Sequence, residues 1–241
     1  MSILRRVAKA ALPQPTQMII QYCGDYFSSQ THRLLKTRLS QEIMRLEFLQ
    51  VGNPLVELNE FPELKLSSWQ GLQTLAYRIV LQHKPKVIVE LGTHMGLSAL
   101  AMALALKKLG EGGKLYAIDC WEGDIHAGFY SEDVYQTFLK RVEQLKLEST
   151  VVPLKMFFDE ARDKIATPID LLHIDGLHTW DAVNHDWDTF GPMVRPGGLI
   201  LFHDVNTIYD GVRKFWDGLA TKLESHTVPY SHGLGIVRSP G

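Results

Sequence analysis

The most regular hydrophobic pattern in the chain is a strand–turn–helix unit at residues 85–105, PKVIVELGTHMGLSALAMALA. Val87 to Leu91 is a short apolar run rich in β-branched residues, as in a strand covered on both faces. Gly92, Thr93 and Gly96 follow, and Leu97 to Lys108 continues at helical spacing. Further apolar runs predict strands at Lys114 to Asp119, Val151 to Leu154, Ile169 to Asp175 and Leu199 to Asp204. Helical runs lie between them: Ser131 or Glu132 to Leu147, Asp159 to Ile165, Thr179 to Phe190, and Tyr209 to Leu223. The stretch 225–237 accommodates two antiparallel strands. Alternation of this kind predicts a three-layer α/β domain with right-handed crossovers.

Upstream, the pattern changes. Residues 1–30 carry Pro13 and Pro15 and read as a loose arm. Leu35, Leu39, Ile43, Leu46 and Leu49 form a helical stripe within Thr31 to Val51, to pack on the main domain or to serve as a dimer or lid helix. Gly52-Asn53-Pro54 breaks it, and 54–66 reads as a loop. Ser67-Ser68-Trp69-Gln70 has the spacing of a capping box opening a helix that runs to His83, with Leu72, Leu75, Ala76 and Ile79 inward. The expected division is a helical extension at 1–66 and a main domain at 67–241.

Composition narrows the function classes. The 241 residues are 45% hydrophobic and 22% charged, ordinary for a globular protein, and the net charge of −2 gives no basic field for nucleic acid. Two cysteines, Cys23 and Cys120, are too few for a disulfide framework, and no apolar run reaches the roughly 18 residues of a membrane span. A cytoplasmic location is the expectation, and an oligomer is left open.

The chemistry concentrates at strand ends. Glu90, Gly92 and Gly96 make E-x-G-x-x-x-G, which is neither the dinucleotide G-x-G-x-x-G nor a P-loop. A glycine turn after the first strand of a parallel sheet makes a ligand crevice, with Gly96 expected to let backbone approach the ligand. Asp119 closes the second strand, where a nucleoside-binding fold places an acid for ribose hydroxyls. The loop CWEGDIHAGFYS at 120–131 offers Asp124, His126 and Tyr130. Asp175 with His178, and His203 with Asp204, end two later strands that lie about 4.8 Å apart if adjacent. Asp175 and Asp204 then converge on one rim as hard oxygen ligands for Mg²⁺, Mn²⁺ or Ca²⁺. His203 and Asp204 both reach the site only if the strand has ended, because successive strand residues face opposite ways. His173 reads as a core histidine, and His185-Asp186-Trp187-Asp188 as a packing or solvated helix face.

VELGTHMG, YAID and VRPGGLILFHD, together with IDGLHTWDAVNHDWDTFGPMVRPGGLILFHDV and DCWEGDIHAGFY, resemble class I S-adenosylmethionine-dependent methyltransferases over Ser67 to Val237. The branch is that of bacterial small O-methyltransferases similar to metal-dependent macrolide-sugar and cephalosporin-type enzymes. The resemblance implies a Rossmann-like, seven-stranded, mostly parallel sheet with an antiparallel C-terminal hairpin. It implies a methyl transfer to a hydroxyl of a sugar or secondary metabolite, assisted by a divalent metal such as Mg²⁺. Glu90, Gly92, Thr93, Gly96, Ser98, Asp119 and Asp175 would bind the cofactor. Trp121 would wall the adenosine or the acceptor, and Met156, Phe157 and Phe158 would border the adenine. His178 is implied as general base with His126 second, and Asp175, Asp204 and His203 as metal site. An acidic pair is usual where this chain has His203-Asp204, which favours a metal that tolerates imidazole or no metal. The rival readings are a metal-independent methyltransferase, a nicotinamide-dependent oxidoreductase and a non-catalytic nucleoside-binding protein.

Overall fold

The computed structural model describes residues 37–48, 55–126, 128–208 and 210–240. The 1–30 arm, Leu35, Leu49 and Tyr209 lie outside the described residues.

The first described helix, α1 (Arg38–Phe48), buries Leu39, Ile43 and Leu46. Two single-turn 3₁₀ segments, Val56–Glu60 and Pro62–Leu66, occupy the stretch expected to be loop. Then come α2 (Gln73–His83), β1 (Val87–Leu91), α3 (Leu97–Leu109) and β2 (Lys114–Asp119). A short ribbon, β3 (Gly123–Asp124) with β4 (Gly128–Phe129), interrupts the expected loop. The rest runs α4 (Glu132–Gln144), β5 (Val151–Lys155), α5 (Phe158–Ala161), β6 (Ile169–Ile174), α6 (Trp180–Phe190), β7 (Val194–His203), α7 (Asp210–Ala220), β8 (Ser225–Val228) and β9 (Leu234–Arg238).

Seven of these strands form one sheet in the order β5-β2-β1-β6-β7-β9-β8. All neighbours are parallel except β9, which runs antiparallel to β7 and β8. This is the expected Rossmann-like architecture. One apolar layer, with Ile79, Leu100 and Phe138, covers one face, and a second, with Phe190, Phe202 and Trp216, covers the other. α1 packs on α2 and β8. Its Leu39 N–H is held by Glu224 Oε1 at 2.8 Å, and Arg78 Nη1 donates to Leu46 O at 2.8 Å. The chain leaves β1 with β2 on one side and β6 on the other, and such a switch point opens a crevice at the carboxyl ends of the strands.

Two local expectations fail for physical reasons. The capping box does not form. Ser67 Oγ accepts the Trp69 N–H at 3.2 Å, Gln70 Nε2 donates to Leu64 O at 2.7 Å, and α2 starts only at Gln73. Burying the Trp69 indole, 2% exposed, keeps this turn out of helix. β7 starts at Val194 rather than at the expected Leu199, so Pro196-Gly197-Gly198 lies inside the strand. Val194 already pairs with Ile169, and the pairing resumes at Leu199 with Leu171, so the three residues form an irregularity in a continuous strand.

Candidate functional site

A cavity of about 390 Å³ opens over the carboxyl ends of β1, β2, β6 and β7, large enough for a nucleoside-sized ligand. Gly92, Thr93, Gly96, Ser98, Asp119, Phe157, Asp175, His178 and Asp204 all line it. So do Asp124, Tyr130 and Phe158.

On the β1–β2 side the turn is tied down by Asp119. Its Oδ2 accepts the N–H groups of Thr93 at 3.0 Å and His94 at 2.8 Å, and its Oδ1 that of Trp121 at 2.7 Å. A carboxylate has about four acceptor positions, so one remains for a ligand hydroxyl. Gly92 and Gly96 adopt φ of +89° and +86°, the left-handed region that glycine enters without strain. At Gly92 a Cβ would lie 2.0 Å from the Asp175 carbonyl oxygen, and at Gly96 it would lie 2.4 Å from the Phe138 ring. A side chain at Gly96 is therefore excluded by close packing behind the turn, while the residue itself lines the cavity.

Glu90 and Trp121, expected to bind the cofactor, do not line the cavity, nor do Met156, expected beside the adenine, His126 and His203. Glu90 is fully buried behind the turn, where its Oε2 accepts the Thr93 hydroxyl at 3.0 Å and its Oε1 faces His173 Nδ1 at 2.9 Å. Trp121 is 2% exposed, stacks on Phe138 and donates Nε1–H to His94 O at 2.8 Å. A left-handed backbone at Trp121 (φ +54°) turns the indole into the core.

On the β6–β7 side four histidines surround two carboxylates. β7 ends at His203, and Asp204 takes a left-handed φ of +60°. That break in the alternation lets both side chains reach one centre, the condition set by the sequence. His203 Nδ1 lies 3.0 Å from Asp204 Oδ2 and 3.3 Å from Asp175 Oδ1, and its Nε2–H donates to Ser231 O at 3.0 Å. His178 Nε2 is 2.9 Å from Asp204 Oδ2, and His232 Nδ1 is 3.2 Å from Asp204 Oδ1. The ligand atoms of Asp175, His178 and Asp204 all lie within 4.8 Å of one another. His126, held at its N–H by Asp124 Oδ1 at 2.6 Å, stacks its ring 5.5 Å from that of His178. The two candidate bases are thus neighbours.

Sequence reasoning missed Trp69. Its Nε1–H donates to Asp175 Oδ2 at 2.9 Å, and its ring stacks 5.2 Å from His203 and meets His173 edge-on at 4.7 Å. It also missed His94, which lines the cavity and stacks 4.6 Å from Tyr130. A large aromatic in a serine-flanked turn was the available signal for Trp69. His173 is fully buried, as expected of a core histidine, but its Nε2 has no hydrogen-bond partner and lies 4.0 Å from Asp175 Oδ2.

Charges follow this geometry. Burial disfavours the charged form of Asp204, but hydrogen bonds from His178 and His203 outweigh it and hold the carboxyl well below its usual range. Burial likewise opposes charge on His203, yet Asp175 and Asp204 push its pKa up to about 10. A dication and a proton compete for such a nitrogen. His178 is raised despite burial, because Asp204 bonds to it and Asp175 and Asp124 lie near. Tyr130 is raised by burial, then by Asp119, Asp124 and Asp175. The arrangement joins a turn suited to a nucleoside with a histidine–carboxylate pair able to accept a proton.

Comparison with known proteins decides what this crevice belongs to. The methyltransferase domain family matches residues 89–205, which span both halves of the site. Residues 89–205 are thus similar to a methyltransferase domain. Among solved structures, the chain is similar to the S-adenosylhomocysteine-bound methyltransferase PaMTH1 of Podospora anserina. The identity is 16% and the TM-score 0.60, over 79% of this chain and 89% of that one. It is also similar to the O-methyltransferase TomG of Streptomyces achromogenes, solved with S-adenosylmethionine. There the identity is 16% and the TM-score 0.56, over 90% of this chain and 95% of that one. At these identities the likeness is one of fold. A curated relative, the uncharacterised protein y4gI of Sinorhizobium fredii, is 35% identical over 174 residues. That match covers 71% of this chain, and the chain spans only 19% of the relative's length. Among the described residues, no helix is long and apolar enough to cross a membrane.

Proposed function

We propose that this chain transfers a methyl group from S-adenosylmethionine to a hydroxyl of a small molecule, a sugar or secondary metabolite. One observation carries the reading: the glycine turn with its acid and the His178–Asp204 pair face a single cavity at the switch point of the sheet. The turn residues Gly92, Thr93 and Ser98 would hold the methionine part, Asp119 a ribose hydroxyl, and Phe157 and Phe158 the adenine. The acceptor would enter beside Asp124, His126 and Tyr130.

Methyl transfer is a displacement at a carbon that already bears a good leaving group, so the protein must align the partners and unload the hydroxyl's proton. His178 accepts that proton, and Asp204 stabilises the resulting imidazolium. His126, stacked on His178, borders the acceptor. The donor set also suits a dication: carboxylate oxygens of Asp175 and Asp204 converge, and nitrogen atoms stand beside them. When bound there, a divalent metal would lower the pKa of the acceptor hydroxyl. Trp69 holds Asp175 in place for either task.

The test has two arms. Titration calorimetry with S-adenosylhomocysteine should show saturable binding, and labelled methyl transfer to a panel of hydroxyl acceptors should give a product. His178→Ala should lose transfer while binding S-adenosylhomocysteine as the wild type does. Equal loss of binding in that variant would remove His178 from the proton-accepting role, and binding of NAD in place of S-adenosylhomocysteine would overturn the whole reading.

A further inference from the structure

We propose that His203 is a metal ligand and that it makes the centre a nitrogen-containing site selective for a first-row transition-metal dication over Mg²⁺ or Ca²⁺. The inference rests on the proposed methyltransferase reading for the purpose of the site, and on the geometry around His203 for the choice of ion.

Metal–ligand bonds of about 2.1 Å put neighbouring ligand atoms of an octahedron about 3.0 Å apart. His203 Nδ1 stands 3.0 Å from Asp204 Oδ2 and 3.3 Å from Asp175 Oδ1, close to the spacing of two edges of an octahedron. The other ring nitrogen is accounted for. A carbonyl oxygen can only accept, so the contact with Ser231 O puts a proton on Nε2 and points the Nδ1 position at the two carboxylates. A ligating histidine is commonly anchored through its second nitrogen in this way. The left-handed Asp204 exists on the same terms, because without that turn His203 and Asp204 would face opposite sides of the sheet. Trp69 stacks on the His203 ring and bonds to Asp175, fixing both at once.

A second observation points to the same spot. His173 is fully buried, its Nε2 is without a hydrogen-bond partner, and that atom is 4.0 Å from Asp175 Oδ2. A polar atom so placed lacks a partner in the protein itself. Imidazole nitrogen suits iron, cobalt, nickel and zinc and is poorly matched to Mg²⁺ and Ca²⁺, which prefer oxygen alone. Mn²⁺ accepts both donor types and serves as the spectroscopic probe.

Pulsed electron paramagnetic resonance of the full chain loaded with Mn²⁺ should show coupling to a directly bound histidine nitrogen. That coupling should persist in His178→Ala and vanish when His203→Asp is added to that variant. Calorimetry should find Co²⁺ bound at least about tenfold more tightly relative to Mg²⁺ in the wild type than in His203→Asp, which replaces the imidazole with a carboxylate. His203→Asn is the second variant, and melting curves with S-adenosylhomocysteine affinities check that both variants fold. Persistence of nitrogen coupling in the folded variant that lacks both His178 and His203 overturns the proposal, as does a wild type that binds no Mn²⁺ or does not distinguish Co²⁺ from Mg²⁺ beyond His203→Asp. Failure here is separable from failure of the methyltransferase reading. Methyl transfer that ignores chelator, with S-adenosylhomocysteine still bound, sinks the metal and leaves the enzyme. Absence of S-adenosylhomocysteine binding sinks the enzyme whatever the metal data show.

Discussion

Asp186 offers a sharp test of how burial governs charge in this fold. It sits in α6 at 5% exposure, with its Oδ2 facing Gly176, one of the residues lining the site. Burial, with Asp159 adding to it and His185 opposing, pushes its pKa up to about 7 from an ordinary value of 3.8. An acid raised in the folded chain binds its proton more tightly there than in the unfolded chain. Its stabilising share is therefore complete below about pH 4, falls as pH rises, and is lost above about pH 7. Three pH units at about 1.36 kcal/mol each set an upper bound of about 4 kcal/mol. Asp186→Asn keeps the shape and cannot ionise, and after the cost of burying an amide we expect it to gain about 2 kcal/mol over the wild type at pH 8. For a chain of this size that is a rise in melting temperature of roughly 4–8 °C. Urea denaturation of both proteins from pH 5 to pH 8 is the assay. The gap should open with pH and be small or reversed at pH 5. Parallel curves across that range, or a variant less stable at pH 8, would refute the reasoning.

Other expectations follow from the site. His178→Ala should lower methyl transfer by about 10²–10⁴-fold at saturating cofactor, measured with a labelled methyl donor. Trp69→Phe removes the hydrogen bond to Asp175 and should cost about 2 kcal/mol by chemical denaturation, with weaker Mn²⁺ binding by calorimetry. Gly92→Ala places a methyl against the Asp175 carbonyl at φ +89° and should lose about 3 kcal/mol or more, seen as a fall in melting temperature. Ile43→Ala should cost about 2–4 kcal/mol, because α1 buries that side chain completely, and an unchanged melting temperature would mean α1 is not docked.

Much of the architecture was legible along the chain. The alternation of apolar runs located β1, β2 and β6 to within a residue, since a strand covered by helices on both faces must be apolar throughout. The strand-end residues Asp119, Asp175 and Asp204 were legible for a related reason: parallel strands deliver their carboxyl ends to one edge, so acids there share the crevice at the switch point of an open sheet. His126 and His178 could be named as chemistry, but nothing in their 52-position separation says that their rings stack.

What pattern alone left undecided depended on contacts between segments far apart in sequence. Glu90 sits in a cofactor motif yet turns to His173, 83 residues away, because that partner gives its carboxyl group a hydrogen bond inside the sheet. Trp69 looked like part of a helix cap and became a clamp on Asp175, 106 residues on, because a buried indole N–H must find an acceptor. Trp121 looked like a ligand wall and became core. The amino-acid order determined the sheet, the turn and which side chains carry chemistry. Which of them meet, and whether His203 can stand beside Asp204 at all, was decided by one left-handed residue and by packing, which no local pattern encodes.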